Sequence, residues 1–120
     1  MLGVELKLPI VMGFFTKDTE ADALKKIESI NREMREISAS MHLNYDMIDG
    51  RNRSKIKGHY NKIVSYLKSY ERIKSNLSEM DRVMFLGATV NLWNGEKVGV
   101  LMWELHISDI LRQLNNEINY

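Results

Sequence analysis

Apolar residues recur at alternating spacings of four and three along residues 19–41, and this pattern constrains the fold more than any other. The residues that carry it are Ala23, Ile27, Ile30, Met34, Ile37 and Met41. Such spacing places one narrow apolar stripe on a single side of an α-helix. Asp18 or Thr19 can cap this helix, and acids in its first turn suit the positive end of the helix dipole. The pattern predicts a long amphipathic helix, and packing in a bundle is favoured over a coiled coil.

A second helix is predicted for residues 54–77, with Ser54 as its cap. Its apolar face consists of Ile56, Tyr60, Ile63, Leu67, Tyr70 and Leu77. The periodicity breaks at Lys74, and Gly58 weakens the first turns by roughly 1 kcal/mol relative to alanine. The preceding residues 42–53 are polar and include an Asp-Gly turn signal, so they predict a connection between the two helices.

The last third of the chain admits two interpretations. Ser78 can cap a helix in which Val83, Leu86, Val90 and Trp93 keep helical spacing. Against this, Asn94-Gly95 is a strong hairpin signal. Helix is clear again from Met102 onward, with Leu105, Leu111, Leu114 and Ile118 as the expected stripe. We favour helices at 79–93 and 96–117, and the alternative is a hairpin across 83–102 followed by a shorter helix.

The N-terminal residues 3–15 have the pattern of a short strand, because three apolar residues alternate with Glu5 and Lys7. Pro9 would confine such a strand to an edge or end it. The segment either packs on the core or forms an arm that docks on a partner through Phe14 and Phe15. It has no basic leader region and no small-residue cleavage site, so it does not resemble a signal peptide. No apolar run approaches the roughly 20 residues that span a bilayer, and we expect a cytoplasmic protein.

Length and composition predict one folded domain over residues 1–120. Apolar residues make up 44% of the chain and charged residues 28%, which argues against global disorder. The expected fold class is mainly α, a small helical bundle with a short extended N-terminal segment. The alternative fold class is α+β, with the hairpin at 83–102.

The sequence offers little equipment for catalysis. It contains no cysteine, and its seven glycines are too scattered for a phosphate-binding loop. The histidines at 42, 59 and 106 are too far apart in sequence to share one helical face, and the acids near Asp46 lack the ligand spacing of a calcium-binding EF-hand loop. We therefore expect no enzyme activity, no cofactor and no metal site.

Charge is unevenly distributed although the net charge is only +1. Residues 51–74 contain eight basic residues and one acid, whereas residues 1–50 and 75–120 each carry a balance of −3. A basic helix with interleaved tyrosines can meet an acidic protein surface, nucleic acid or a small anionic ligand, or it can complement the acidic first helix within the fold. The pI near 8.0 disfavours nucleic acid, because dedicated nucleic-acid-binding domains are usually more basic.

The residues predicted to bind a partner follow from this distribution. We expect Arg51, Arg53, Lys55 and Lys57 to steer or anchor an acidic protein surface, and reversing those four charges should weaken binding. Tyr60, Phe14 and Phe15 are the candidate apolar contacts. The eight methionines and the large aromatic residues suit adaptable surfaces, but we expect most of them in the core.

The segments MLGVELKLPIVMGFF and ATVNLWNGEKVGVLMWELH, together with the total length, resemble the prophage-encoded anti-defence proteins that inhibit Bacillus defence-associated sirtuins. This resemblance implies a non-enzymatic inhibitor in the host cytoplasm that binds a sirtuin-domain defence enzyme and prevents it from depleting NAD. It supplies no motif residues for this chain. The competing functions are a sponge for a small anionic nucleotide signal and a nucleic-acid-binding regulator, and the oligomeric state stays open.

Overall fold

The computed structural model describes residues 18–43 and 52–118. In chain order its elements are α1 (Glu20–Leu43), α2 (Arg53–Asn76), α3 (Glu79–Leu86), β1 (Thr89–Asn91), β2 (Lys97–Gly99) and α4 (Val100–Ile118). The fold is mainly α, as predicted, and it also contains a small hairpin at the place where the alternative put one. The extended N-terminal segment that the sequence predicts lies outside the described residues.

Helices α1 and α2 pack along each other and follow the predicted stripes closely. The α1 stripe is buried from Ala23 to Ile37, and Met41 is half-buried. On α2, Ile73 is buried where the predicted pattern broke. The predicted cap of α2 is wrong, because the helix begins at Arg53 with Asn52 in the cap position, which leaves Ser54 exposed in the first turn.

The start of α1 closes on itself through a reciprocal pair of hydrogen bonds. The Thr19 backbone N–H donates to the Asp22 carboxylate at 2.9 Å, and the Asp22 backbone N–H donates to the Thr19 hydroxyl at 3.3 Å. This is the arrangement of a capping box, which satisfies backbone donors that the first turn leaves without helical partners. The backbone bond from Thr19, followed by its side-chain bond, lowers the pKa of Asp22 below its ordinary value.

The favoured helix over 79–93 is wrong beyond Leu86. Ser78 does cap α3, accepting a hydrogen bond from the Asp81 backbone N–H at 3.1 Å. After Gly87, β1 pairs antiparallel with β2, and Val90 lies opposite Val98. The turn uses Gly95 at a φ of 91°, a conformation that residues with a side chain rarely adopt. The chain therefore takes the hairpin that the Asn-Gly pair predicts, over a shorter range than 83–102.

Helix α4 closes the core. Its buried residues are Val100, Trp103, Ile107, Leu111, Leu114 and Ile118. The ring of Trp103 meets Tyr70 of α2 nearly edge-on at a centroid distance of 5.4 Å, and Tyr70 also contacts Phe85 of α3 at 6.1 Å. Leu105 was expected in this stripe, but 65% of it is exposed because it lies two residues from Trp103, on the opposite side of the helix.

Candidate partner-binding surface

Helix α3 is apolar on the side that faces solvent. Its one buried residue is Phe85, which is fully enclosed. The exposed fractions of Met80, Val83 and Met84 are 72%, 67% and 61%. These residues lie three and four positions apart and so share a face, away from the side that carries Phe85. A short helix that exposes three large apolar side chains has more apolar surface than the core uses.

The first turns of α4 have the same property. Leu101, Met102 and Leu105 are exposed to 55%, 50% and 65%. The cause is the apolar run from Val100 to Trp103, because four consecutive residues point in all directions around a helix. Val100 and Trp103 lie on the buried side of the helix, so Leu101 and Met102 between them face solvent.

The hairpin connects the end of α3, which carries one of these groups, to the start of α4, which carries the other. At its base the Val100 N–H donates to the Ala88 carbonyl at 3.0 Å, which ties the residue after α3 and its Gly87 to the first residue of α4. We call the resulting set the α3–α4 apolar surface. Its members are Met80, Val83, Met84, Leu101, Met102 and Leu105. Large apolar side chains exposed in such number are typical of interaction sites, and methionine is common on surfaces that adapt to a partner.

A chain of hydrogen bonds through the buried Asn31 side chain fixes α4, which carries half of this surface. The Trp103 indole N–H donates to the Asn31 side-chain oxygen at 2.9 Å, and the Asn31 amide donates to the Asn91 carbonyl at 2.7 Å. Asn31 is only 4% exposed, so these bonds form where water competes little. One side chain of α1 thereby holds both α4 and β1 in place.

A second set of polar contacts joins α4 to α2. The Tyr70 hydroxyl donates to the Glu104 carboxylate at 2.5 Å, and the Lys74 ammonium lies 2.8 Å from the same oxygen. Burial, reinforced by the bond to Glu104, raises the pKa of Tyr70 above its ordinary value. Burial alone lowers the pKa of Lys74, but the bond to Glu104 and its charge outweigh it and raise that pKa. Both groups therefore stay protonated at neutral pH and hold the Glu104 carboxylate.

The predicted basic site is only partly assembled by the structure. Lys55 and Lys57 are exposed on α2, but they are two positions apart and so project to different sides of the helix. Arg53 is half-buried. Arg51 lies outside the described residues, as do Phe14 and Phe15. The structure thus places two of the predicted cations on the surface without bringing them together.

Other polar groups of α2 are used within the fold. The predicted contact Tyr60 is half-buried, and its hydroxyl is 3.4 Å from the Asn115 side-chain oxygen. Arg72 lies 3.6 Å from the Asp18 carboxylate, and Lys74 pairs with Glu104 as described above. Part of the basic charge therefore pairs with acids of this chain, at Asp18 just before α1 and at Glu104 on α4.

The described residues offer no grouping of three His, Asp or Glu side chains that could hold a metal ion. His59 lies 2.6 Å from the Glu33 carboxylate, in a partly buried contact that joins α2 to α1. Asp109 does not pair with the nearby His106 but accepts bonds from Arg112 and Gln113. The His59–Glu33 contact joins two helices, and the Asp109 contacts lie on the surface of α4. No helix in ranges 18–43 and 52–118 is long and apolar enough to cross a membrane.

The α3–α4 apolar surface is the feature that sequence reasoning missed. Most of the methionines were expected in the core, whereas Met80, Met84 and Met102 are at least half exposed. The signal was present in the apolar run 100–103, which covers more of a helix than one buried face can accommodate. On α3 the predicted apolar stripe included Val83, which the structure exposes to 67%.

Comparison with known proteins identifies no relative of this chain. The chain matches no protein-family model, no curated protein and no solved structure.

Proposed function

We propose that this chain is a non-enzymatic inhibitor that binds another protein through the α3–α4 apolar surface. The supporting observation is that all six side chains of this surface are exposed to 50% or more. Full burial of one large apolar side chain contributes about 1.5–3 kcal/mol. Covering what is exposed on six of them contributes about 5 kcal/mol or more before the costs of association. This surface can therefore provide the centre of a protein–protein interface.

The proposed partner is a sirtuin-domain defence enzyme that depletes NAD, and the proposed place of action is the host cytoplasm. The support for this partner is the resemblance to prophage-encoded anti-defence proteins described above. Binding would block activation of the enzyme without any chemical step on the inhibitor. Lys55 and Lys57 have a secondary role in this proposal, because exposed cations accelerate encounter with an acidic partner surface.

The test measures binding of the full-length chain to a purified defence enzyme of this class, together with NAD consumption by that enzyme. The variant Met84→Lys/Leu105→Lys places one charge on each helix of the apolar surface. We expect about 100-fold weaker binding and loss of inhibition, since two contacts at an interface centre each contribute about 1–2 kcal/mol. The protein should stay folded, because both positions face solvent.

The matched control is Ala39→Lys/Ser65→Lys, which adds the same two charges at exposed positions of α1 and α2. It should bind and inhibit as the original chain does. Equal affinities for both double variants would contradict the proposed surface. A chain that leaves the enzyme fully active but carries a nucleotide through purification, detected by mass spectrometry, would favour the sponge function instead.

A further inference from the structure

A groove separates α1 from the hairpin, on a different part of the molecule from the apolar surface. Its volume is about 500 Å³, within the range of ligand-binding clefts. One wall consists of α1 side chains, and the other is β1. The described residues that line it are Leu24, Ile27, Glu28, Asn31, Arg32, Arg35, Thr89, Val90 and Asn91. A helix lying beside the edge of a strand is an arrangement that suits an extended peptide.

The edge of β1 that borders the groove offers backbone hydrogen-bonding groups. The bonds from the Leu92 N–H to Glu96 and from the Val100 N–H to Ala88 show that the even-numbered residues face β2. The N–H and C=O groups of Thr89 and Asn91 must therefore point away from β2. In the described part of the chain, β1 pairs with no strand other than β2. An open edge of this kind can accept a further strand.

The Asn31 side chain fixes the distance between the two walls. Its amide donates to the outward carbonyl of Asn91, and its oxygen is held by the Trp103 indole. Both of its polar atoms are thus used, and Asn31 ties the Asn91 end of β1 to α1. The Thr89 N–H and C=O and the Asn91 N–H are the backbone groups of this edge that an added chain could use.

The side chains at the groove favour an acidic occupant. Arg32 and Arg35 are both exposed, and the Arg32 guanidinium is 3.9 Å from the nearest oxygen of Glu33, too far for a hydrogen bond. Glu28 is the one acid among the described lining residues. Two guanidinium groups and two outward backbone N–H groups make the groove rich in donors, which matches carboxylates on an extended chain.

We propose that this groove binds an extended acidic peptide segment of a partner protein, which adds to β1 as a third strand. Backbone bonds to Thr89 and Asn91 hold the added strand, and its carboxylates meet Arg32 and Arg35. This contact uses none of the residues of the α3–α4 apolar surface. It is therefore independent of the proposed function, and either can fail alone.

The test uses two labelled probes in fluorescence anisotropy with the full chain. One is a short peptide of alternating threonine and glutamate, and the other has lysine in place of glutamate. We expect the acidic probe to bind and the basic probe not to bind. Arg32→Glu/Arg35→Glu should weaken the acidic probe about tenfold, because it replaces two attractions with two repulsions. Lys55→Glu/Lys57→Glu, with the same change in net charge on α2, should have little effect.

A second pair of variants tests the strand addition itself. Thr89→Pro removes the outward N–H without breaking a bond to β2, whereas Thr89→Val keeps that N–H. Only the proline variant should weaken the probe, and the amide resonances of Thr89 and Asn91 should shift when the acidic probe is added to the original chain.

The proposal would be overturned by equal binding of both probes, by acidic-probe binding that survives Arg32→Glu/Arg35→Glu, or by resonance shifts on α3 and α4 in place of β1. A chain that self-associates, and that this arginine variant makes monomeric, would identify a second copy as the occupant and overturn it as well.

Discussion

The two halves of the molecule differ in how many large apolar side chains they expose. One half is the helix pair α1–α2, and the other consists of α3, the hairpin and α4. Of the seven large apolar side chains exposed in the described residues, six belong to α3 and α4. The remaining one is Leu24 of α1, exposed to 36%. The long helices are amphipathic and bury their stripes against each other and α4. The second half carries more apolar surface than the core can cover, which is the property expected of a binding surface.

The excess of basic charge lies in the other half of the molecule, mainly on α2. Residues 51–74, which include nearly all of α2, carry the excess of basic residues, whereas residues 75–120 have a balance of −3. Charge indicates where a partner can be steered, and exposed apolar area indicates where it can be held. In this chain the two properties lie on different elements, so variants of each can be compared directly.

The largest expected effect separates the buried and exposed sides of α4. Trp103→Ala should lower the free energy of unfolding by about 3–5 kcal/mol, because it empties a core site and leaves Asn31 without its donor. Leu105→Ala, two residues away, should change it by less than about 0.5 kcal/mol. Urea denaturation measures both. Similar losses for the two variants would mean that the side chain of Leu105 is not exposed.

A smaller effect is expected where α4 meets α2. Glu104→Gln should cost about 1–2 kcal/mol at neutral pH, because the carboxylate holds both Tyr70 and Lys74. The pKa values of Tyr70 and Lys74 are raised in the folded protein, so this contribution to stability is fully present at any pH below their ordinary pKa values of 10.0 and 10.5. It is lost as the pH rises from there through the raised pKa values of the folded state.

The pH dependence therefore provides a second readout. The original chain should lose stability above pH 10.0, and Glu104→Gln should make that loss shallower without abolishing it, since burial of Tyr70 remains. Thermal unfolding across the alkaline range measures the slope. Glu117→Gln removes an exposed acid from the same helix and serves as the control. A slope unaffected by Glu104→Gln would count against the coupling.

Helix starts in the two halves also differ. Ser78→Ala should destabilise the protein by about 1 kcal/mol, because its hydroxyl accepts the Asp81 N–H at the start of α3. Ser54→Ala should have almost no effect, since Ser54 is exposed inside the first turn of α2. Chemical denaturation of the two variants side by side measures the difference. Equal costs would show that Ser54 also caps a helix.

The smallest expected effect belongs to the basic region. Lys55→Glu/Lys57→Glu should slow association with an acidic partner about threefold at low salt and leave dissociation unchanged. The difference should vanish near 1 M salt, where the Debye length falls to about 3 Å. Stopped-flow or surface-binding kinetics measures both rates. A large effect on dissociation would contradict the proposed α3–α4 apolar surface and favour α2 as the binding element.

Periodicity sufficed for the parts of the fold whose helices are amphipathic. The spacing from Ala23 to Ile37 placed the buried side of α1, and Ser78 marked the start of α3. It failed between Leu86 and Val100, because Val90 and Trp93 satisfy helical spacing and the hairpin equally. Of the candidate site residues, the structure shows Lys55 and Lys57 at the surface. No sequence motif identified the residues of the α3–α4 apolar surface.

The sequence by itself determined which segments form long helices, because a single apolar stripe leaves only one side that can be buried. It also determined the absence of thiol chemistry and the basic character of α2. Only the tertiary structure decided which apolar residues of the second half stay outside. That choice depends on the space beside α1 and α2. The side chains of Trp103 and Phe85 fill this space and are fully buried, whereas those of Leu105 and Met84 remain exposed to solvent.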